Sequence, residues 1–116
     1  MTKRKKLVSK LDKVFSLYIR NRDKKCVTCG KTEGLTNGHL ITRAKYSVRW
    51  SEVNSNCQCR GCNMLHEYQP ERYTNWFLNK YGLKKYQSLI LESNKIKKYS
   101  DTELEGLIKK YELRRT

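Results

Sequence analysis

Two cysteine pairs, Cys26-x2-Cys29 and Cys59-x2-Cys62, bracket a segment that carries Gly38-His39-Leu40, and Asn63 stands directly after the last thiol. Tetrahedral zinc takes four soft ligands, and two knuckles of this spacing supply them without strain. A histidine between the knuckles titrates near neutrality and is suited to take a proton from water. An asparagine past the second knuckle offers an amide oxygen to a hard cation, Mg2+ or Mn2+. Together these residues describe a thiolate clip beside a site for phosphodiester hydrolysis. His66 and Glu67 lie three and four residues after Asn63, on the same face of a helix, and are available to that second cation. Each residue also has a structural reading. His39 could be a core or zinc-supporting histidine, Asn63 a helix-start amide, and His66 and Glu67 exposed helix positions.

The composition sets the class of partner. In 116 residues, 26 Lys+Arg stand against 11 Asp+Glu, a net charge of +15, which points to a polyanion and to nucleic acid before an anionic membrane surface. Arg43, Lys45, Arg49 and Arg60 flank the chemical residues and are candidates for phosphate contacts, which position a duplex without reading it; the alternative is a solvated face. No hydrophobic run reaches the ~20 residues of a bilayer span. The basic start Met1-Thr-Lys-Arg-Lys-Lys is not followed by a secretory core, so a reducing cytoplasm is expected, where paired cysteines bind metal more readily than they form disulfides. Five cysteines leave Cys57 outside the clip.

One domain over 1–116 is expected, divided into a basic N-terminal helix (1–25), a zinc-held centre (26–69) and a helical C-terminal part (70–116). Leu7, Leu11, Val14, Phe15 and Tyr18 follow helical spacing. Between Leu35 and Glu52 the β-branched and aromatic residues predict two strands, one carrying His39 and the other around Tyr46–Trp50, with Asn54-Ser55-Asn56 as a polar turn. A short helix is expected from Cys62 to Tyr68. Pro70 opens a helix that buries Tyr73, Trp76, Phe77 and Tyr81 and stops at Gly82. Leu83 to Glu92 forms a further helix. A capping box at Ser100-x2-Glu103 starts the last one, with Leu104, Leu107, Ile108 and Tyr111 on its apolar side. The tyrosines and tryptophans, Trp50 and Trp76 included, fit a core better than base-stacking platforms.

An α+β fold with two knuckles, a hairpin between them and a helix leaving the second resembles the treble-clef zinc module, which in HNH nucleases carries a ββα-metal centre. That resemblance implies His39 as general base, an asparagine orienting it, and a helix residue holding the cation. Asn54, five residues before Cys59, matches the central HNH asparagine, with Asn56 as its competitor. Asn63 fits the variant of the motif that ends in asparagine. More specifically, Leu11-Asp-Lys-Val-Phe-Ser-Leu-Tyr-Ile-Arg-Asn-Arg-Asp23 before Cys-x2-Cys-Gly, then Gly38-His39, then Trp50-Ser-Glu52-Val-Asn54 and Cys59-Arg-Gly-Cys62-Asn63, resemble the NinG or Rap recombination proteins of lambdoid bacteriophages. The likeness runs from about Lys10 to Gly82. It implies an endonuclease acting on branched intermediates such as Holliday junctions and D-loops in the host cytoplasm, with a homodimer and recombination proteins as possible partners. Two departures stand out: Gly38 occupies the place where many HNH enzymes carry a metal-binding Asp, and Ser55 follows the central asparagine where these relatives carry Cys.

Overall fold

Helix α1 (Lys3–Asp23) begins four residues before its apolar stripe because Thr2 caps it, the hydroxyl accepting from the Lys5 N–H at 3.2 Å. It ends where Lys24 takes a left-handed conformation, φ 64°, which turns the chain into the first cysteine knuckle. The computed structural model describes residues 1–114. Strand β1 (Leu35–His39) follows, then helix α2 (Tyr46–Arg49), strand β2 (Ser55–Cys59), and helices α3 (Arg60–Leu65), α4 (Glu71–Tyr81), α5 (Leu83–Ser93) and α6 (Asp101–Leu113). The expected capping box is formed, with Ser100 and Glu103 exchanging side-chain and backbone bonds.

The architecture is a mixed α+β one: a two-stranded antiparallel sheet flanked by helices, with Leu35 opposite Cys59 and His39 opposite Ser55. The second strand is not where β-propensity placed it. Tyr46–Arg49 forms a helix, and the partner of β1 is Ser55–Cys59, which includes two residues expected in a turn. This strand is buried along its whole length despite its polarity; the Ser55 carbonyl and the Asn56 side chain find partners on other elements, while Ser55 Oγ and Gln58 Oε1 have none among the described residues. The Arg22 guanidinium donates to the Ser55 carbonyl at 2.9 Å and to Asn56 Oδ1 at 3.1 Å, and the Asn56 amide donates to the Tyr73 hydroxyl at 3.1 Å. The short helix after the second knuckle also starts earlier than expected, at Arg60, because Cys59 serves as its N-cap.

Two apolar clusters lie on either side of the sheet. One joins Leu11, Phe15, Tyr18 and Ile19 of α1 to Leu104, Ile108 and Tyr111 of α6, closed by Trp50 and Cys57. The other gathers Leu40, just after β1, with Val48 of α2, Tyr73 and Phe77 of α4 and Leu89 of α5. Glu52 pins the first from its edge: its carboxylate accepts from Tyr18 at 2.8 Å and Tyr111 at 2.9 Å, and pairs with Arg114 at 3.2 Å. Burial works against that charge, but these donors outweigh it and hold the carboxyl below its ordinary value.

Candidate functional site

The knuckles bring Cys26, Cys29, Cys59 and Cys62 together so that their four sulfurs all lie within 4.8 Å of one another. Local backbone bonds shape each turn. The Gly30 N–H closes on the Cys26 carbonyl at 2.8 Å, with Gly30 at φ 82°, and Cys59 Sγ accepts from the Cys62 N–H at 3.5 Å. The Val27 N–H donates to the Cys57 carbonyl at 2.9 Å, which ties the first knuckle to β2. The donor set fits zinc. Zn–S bonds of about 2.3 Å at tetrahedral angles separate the sulfurs by about 3.8 Å, and Cys29 Sγ and Cys59 Sγ stand 3.7 Å apart. Burial opposes the Cys26 thiolate, yet the Thr28 hydroxyl and backbone N–H groups bring it down to about 6; burial and the neighbouring thiols push Cys62 up to about 12. Cys57 is apart from the clip, fully buried in the α1–α6 cluster, and burial raises it to about 11.

Beside the clip a cleft of about 740 Å³ opens between α1, β1 and α3, lined by Asp12, Asn37, His39, Arg43, Asn63, His66 and Glu67 among others. His39 occupies the last position of β1, and its Nε2 lies 2.8 Å from the Arg49 carbonyl. A carbonyl only accepts, so Nε2 carries the proton and Nδ1 keeps its lone pair. Burial lowers the His39 pKa, and the cations of Arg43 and Arg49 add to this, while the Arg49 carbonyl and Asp12 oppose it. The ring is therefore neutral in neutral water.

Asn63 projects from α3 across β1, its amide donating to Thr36 Oγ1 at 3.0 Å and to the Asn37 carbonyl at 3.5 Å, while its amide oxygen accepts no hydrogen bond from the described residues. His66 donates from Nε2 to the Leu40 carbonyl at 2.8 Å, and its Nδ1 is buried without a partner. Glu67 is exposed at the rim. Asn54 is fully buried and bonds to backbone. Its oxygen accepts from the Ile41 N–H at 2.8 Å, and its amide donates to the Ile41 and Val48 carbonyls at 2.9 and 3.2 Å. It fixes the segment that leaves His39 and the helix that presents Arg49 to it, and touches the imidazole only through them. Asn56, its competitor, bonds to Arg22 and Tyr73 and stays in the core.

Asp12 and Asn37 are among the cleft residues not expected from sequence. Asp12 accepts from Arg49 Nη2 at 2.6 Å, Arg49 Nε at 3.0 Å and Trp50 Nε1 at 2.9 Å, which clamps α1 to α2. Its position in the α1 heptad, one after Leu11, gave no sign of this. Asn37 lies two residues before His39 and so on the same face of β1, with its side-chain oxygen buried and unpartnered. The alternation that places it there was readable. Of the basic candidates, Arg43 is exposed on the wall of the cleft and Arg49 is consumed by its clamp on Asp12. Lys45 and Arg60 are exposed but do not line the cleft.

The place before His39 is closed to a side chain. A Cβ on Gly38 would meet Gln58 Oε1 at 2.2 Å, and Gln58 is itself buried. Among the described residues, the four cysteines are the only group of three or more His, Cys, Asp or Glu side chains that converges on one point. No helix of the described residues is long and apolar enough to cross a membrane.

Neither a curated protein nor a solved structure matches the chain. A family model does, that of the bacteriophage Lambda NinG protein, and it spans α5 and α6 as well as the segments that carry the motifs. Matched by it over residues 1–115, the chain belongs to the NinG family.

Proposed function

We propose that this zinc module is a metal-dependent endonuclease of HNH type, in which His39 activates water against a DNA phosphodiester. The observation that carries the reading is the imidazole itself. It is half-buried in an open cleft, held by the Arg49 carbonyl in the tautomer that leaves Nδ1 basic, and kept neutral by its surroundings. A general base needs those three properties. Asn54 holds the loop and helix that position the ring. The clip holds one structural Zn2+ and fixes β2 and α3 relative to β1.

The second cation, Mg2+ or Mn2+, would be held from the α3 side of the cleft, by the amide oxygens of Asn63 and Asn37, with Glu67 or His66 completing the set. The unpartnered atoms Asn37 Oδ1 and His66 Nδ1 fit that role chemically. Bound there, such an ion supplies charge stabilisation to the scissile phosphate and leaving oxygen. Arg43 supports the same phosphate from the opposite wall. Branched recombination intermediates are the substrate the family resemblance favours, and the charge of +15 suits them as it suits any DNA.

Incubating the purified protein with supercoiled, four-way-junction and D-loop DNA, with and without added Mg2+, tests the reading. Cleavage that needs Mg2+ and disappears in His39→Ala is expected. A second reading, a zinc module that binds DNA without cutting it, draws support from Gly38 and from the lack of converging carboxylates in the cleft. It predicts salt-sensitive binding and intact DNA with every divalent ion tried.

A further inference from the structure

A second depression, about 630 Å³, adjoins the His39 cleft and shares Asp12 and Arg43 with it; the two side by side make up a trough along α1. Helix α1 builds one wall. Lys5, Ser9, Asp12, Lys13 and Ser16 recur at intervals that place them on one helical face, all lining one or both depressions. From Lys5 to Ser16 that face extends about 17 Å, at about 1.5 Å per residue. A stacked strand spaces its phosphates about 3.4 Å apart, so the wall spans about five nucleotides.

The charges along the trough fall into two groups. Arg4 pairs with Asp101 at 3.8 Å, and Arg49 is neutralised by Asp12 at 2.6 Å, which also removes Asp12 as a repulsive charge. Lys5, Lys13 and Arg43 have no carboxylate partner among the described residues, and they point a positive field at whatever lies between the walls. Opposite α1 stands Tyr46. It was expected in the core, but it is 36% exposed. Its ring is braced from behind, edge-on to Trp50 at 5.8 Å and with the Arg49 guanidinium 4.9 Å from its centroid. An aromatic ring held rigid in a basic groove is a platform on which a base stacks, and paired bases are not free to reach it.

We infer that this trough binds an unpaired DNA strand continuous with the segment in the His39 cleft, with Lys5, Lys13 and Arg43 on its phosphates and Tyr46 against one base. The inference rests on the nucleic-acid reading above and adds to it the substrate feature that the protein would select: a single-stranded arm next to the scissile bond.

Fluorescence anisotropy tests it, using labelled single-stranded, forked and blunt duplex DNA, the full chain loaded with zinc, and no added Mg2+. Tyr46→Ala is expected to weaken single-stranded and forked binding about tenfold and leave blunt duplex binding unchanged, with Tyr46→Phe restoring it. Lys5→Ala combined with Lys13→Ala is expected to reduce the slope of log affinity against log salt by about 1.4 on single strands. The pair Lys84→Ala and Lys85→Ala on α5, exposed and outside the trough, removes equal charge and is expected to do neither. Zinc content and thermal melting of each variant show whether it is folded. Equal losses on blunt duplex and on single strands in Tyr46→Ala, or an unchanged slope in the α1 variant, overturn the inference. Binding is read without catalysis, so a parent that binds arms as described yet cuts nothing sinks the hydrolytic reading and leaves this one standing.

Discussion

The thiolate clip and the His39 cleft lie side by side, and they are built in opposite ways. The clip is complete within the chain: four sulfurs converge from two local turns, each turn shaped by backbone bonds of its own. The cleft is assembled from α1, β1, α3 and the loop before α2, and its polar atoms line a wide space without meeting at a point. On the proposed reading, one region would be finished by an ion and the other by an ion and a substrate together. The difference teaches where stability and chemistry separate in this molecule. Damage to the clip should be felt throughout the fold, and damage to the cleft in the reaction alone.

The largest effect should follow loss of the clip. Structural zinc contributes about 10–16 kcal/mol in small domains, comparable with or above the whole stability of a chain this size. Cys59→Ala, or a strong chelator, should unfold the protein, seen as loss of zinc by metal analysis and loss of the cooperative transition in circular dichroism. A folded, zinc-free Cys59→Ala would remove the contrast. Next comes His39→Ala, expected to lower Mg2+-dependent cleavage about 10²- to 10⁴-fold, the range of general-base catalysis, with zinc content and melting temperature close to the parent's.

Asn54 tests the boundary between the two regions, because it is buried like the core and serves the cleft. Asn54→Ala strands the Ile41 N–H and frees the Ile41 and Val48 carbonyls, and should cost about 3 kcal/mol in denaturant titration while the zinc stays bound. Gly38→Ala should cost about 1–3 kcal/mol through its collision with Gln58. Adding Gln58→Ala should recover part of that, and additive losses in the double mutant would show that the crowding lies elsewhere.

The smallest effect concerns pH. The folded His39 pKa is lowered, so over the window between it and the ordinary imidazole value, about 6.5, the folded state holds fewer protons than the unfolded chain. Stability is lost as pH falls through that window, and the cleavage rate should rise with pH through a pKa below the ordinary value. Arg43→Ala removes a cation that opposes protonation, and should move that limb toward higher pH in a rate profile.

The same contrast decides what could be read from the sequence. The clip was legible because its ligands come as local pairs with a fixed gap. The helices of the C-terminal part were legible because their apolar spacing, Pro70, Gly82 and the Ser100 box are local signals as well. Strand β2 was not, because Ser55, Asn56 and Gln58 are poor strand formers, and the partners that the Ser55 carbonyl and the Asn56 side chain find, Arg22 and Tyr73, lie far away in the chain. The cleft was legible in part. His39, Asn63, His66 and Glu67 do line one space, as their positions around the clip suggested. Asp12 was invisible because its meaning arises only when α1 packs against α2, 37 residues later in the chain. The Trp50-Ser-Glu52-Val-Asn54 run carried a family likeness but no mechanism. In the structure it becomes a row of fasteners, with Trp50 on Asp12, Glu52 on Tyr18 and Tyr111, and Asn54 on Ile41 and Val48.

Arg49 couples the two walls of the site. Its carbonyl holds the imidazole and its guanidinium grips the long first helix, so one residue links the ring at one end to the groove wall at the other. On the proposed reading, a push on that wall would reach the ring through the Asp12–Arg49 pair and the Arg49 carbonyl, so that seating the DNA and aiming the base would be two ends of a single displacement.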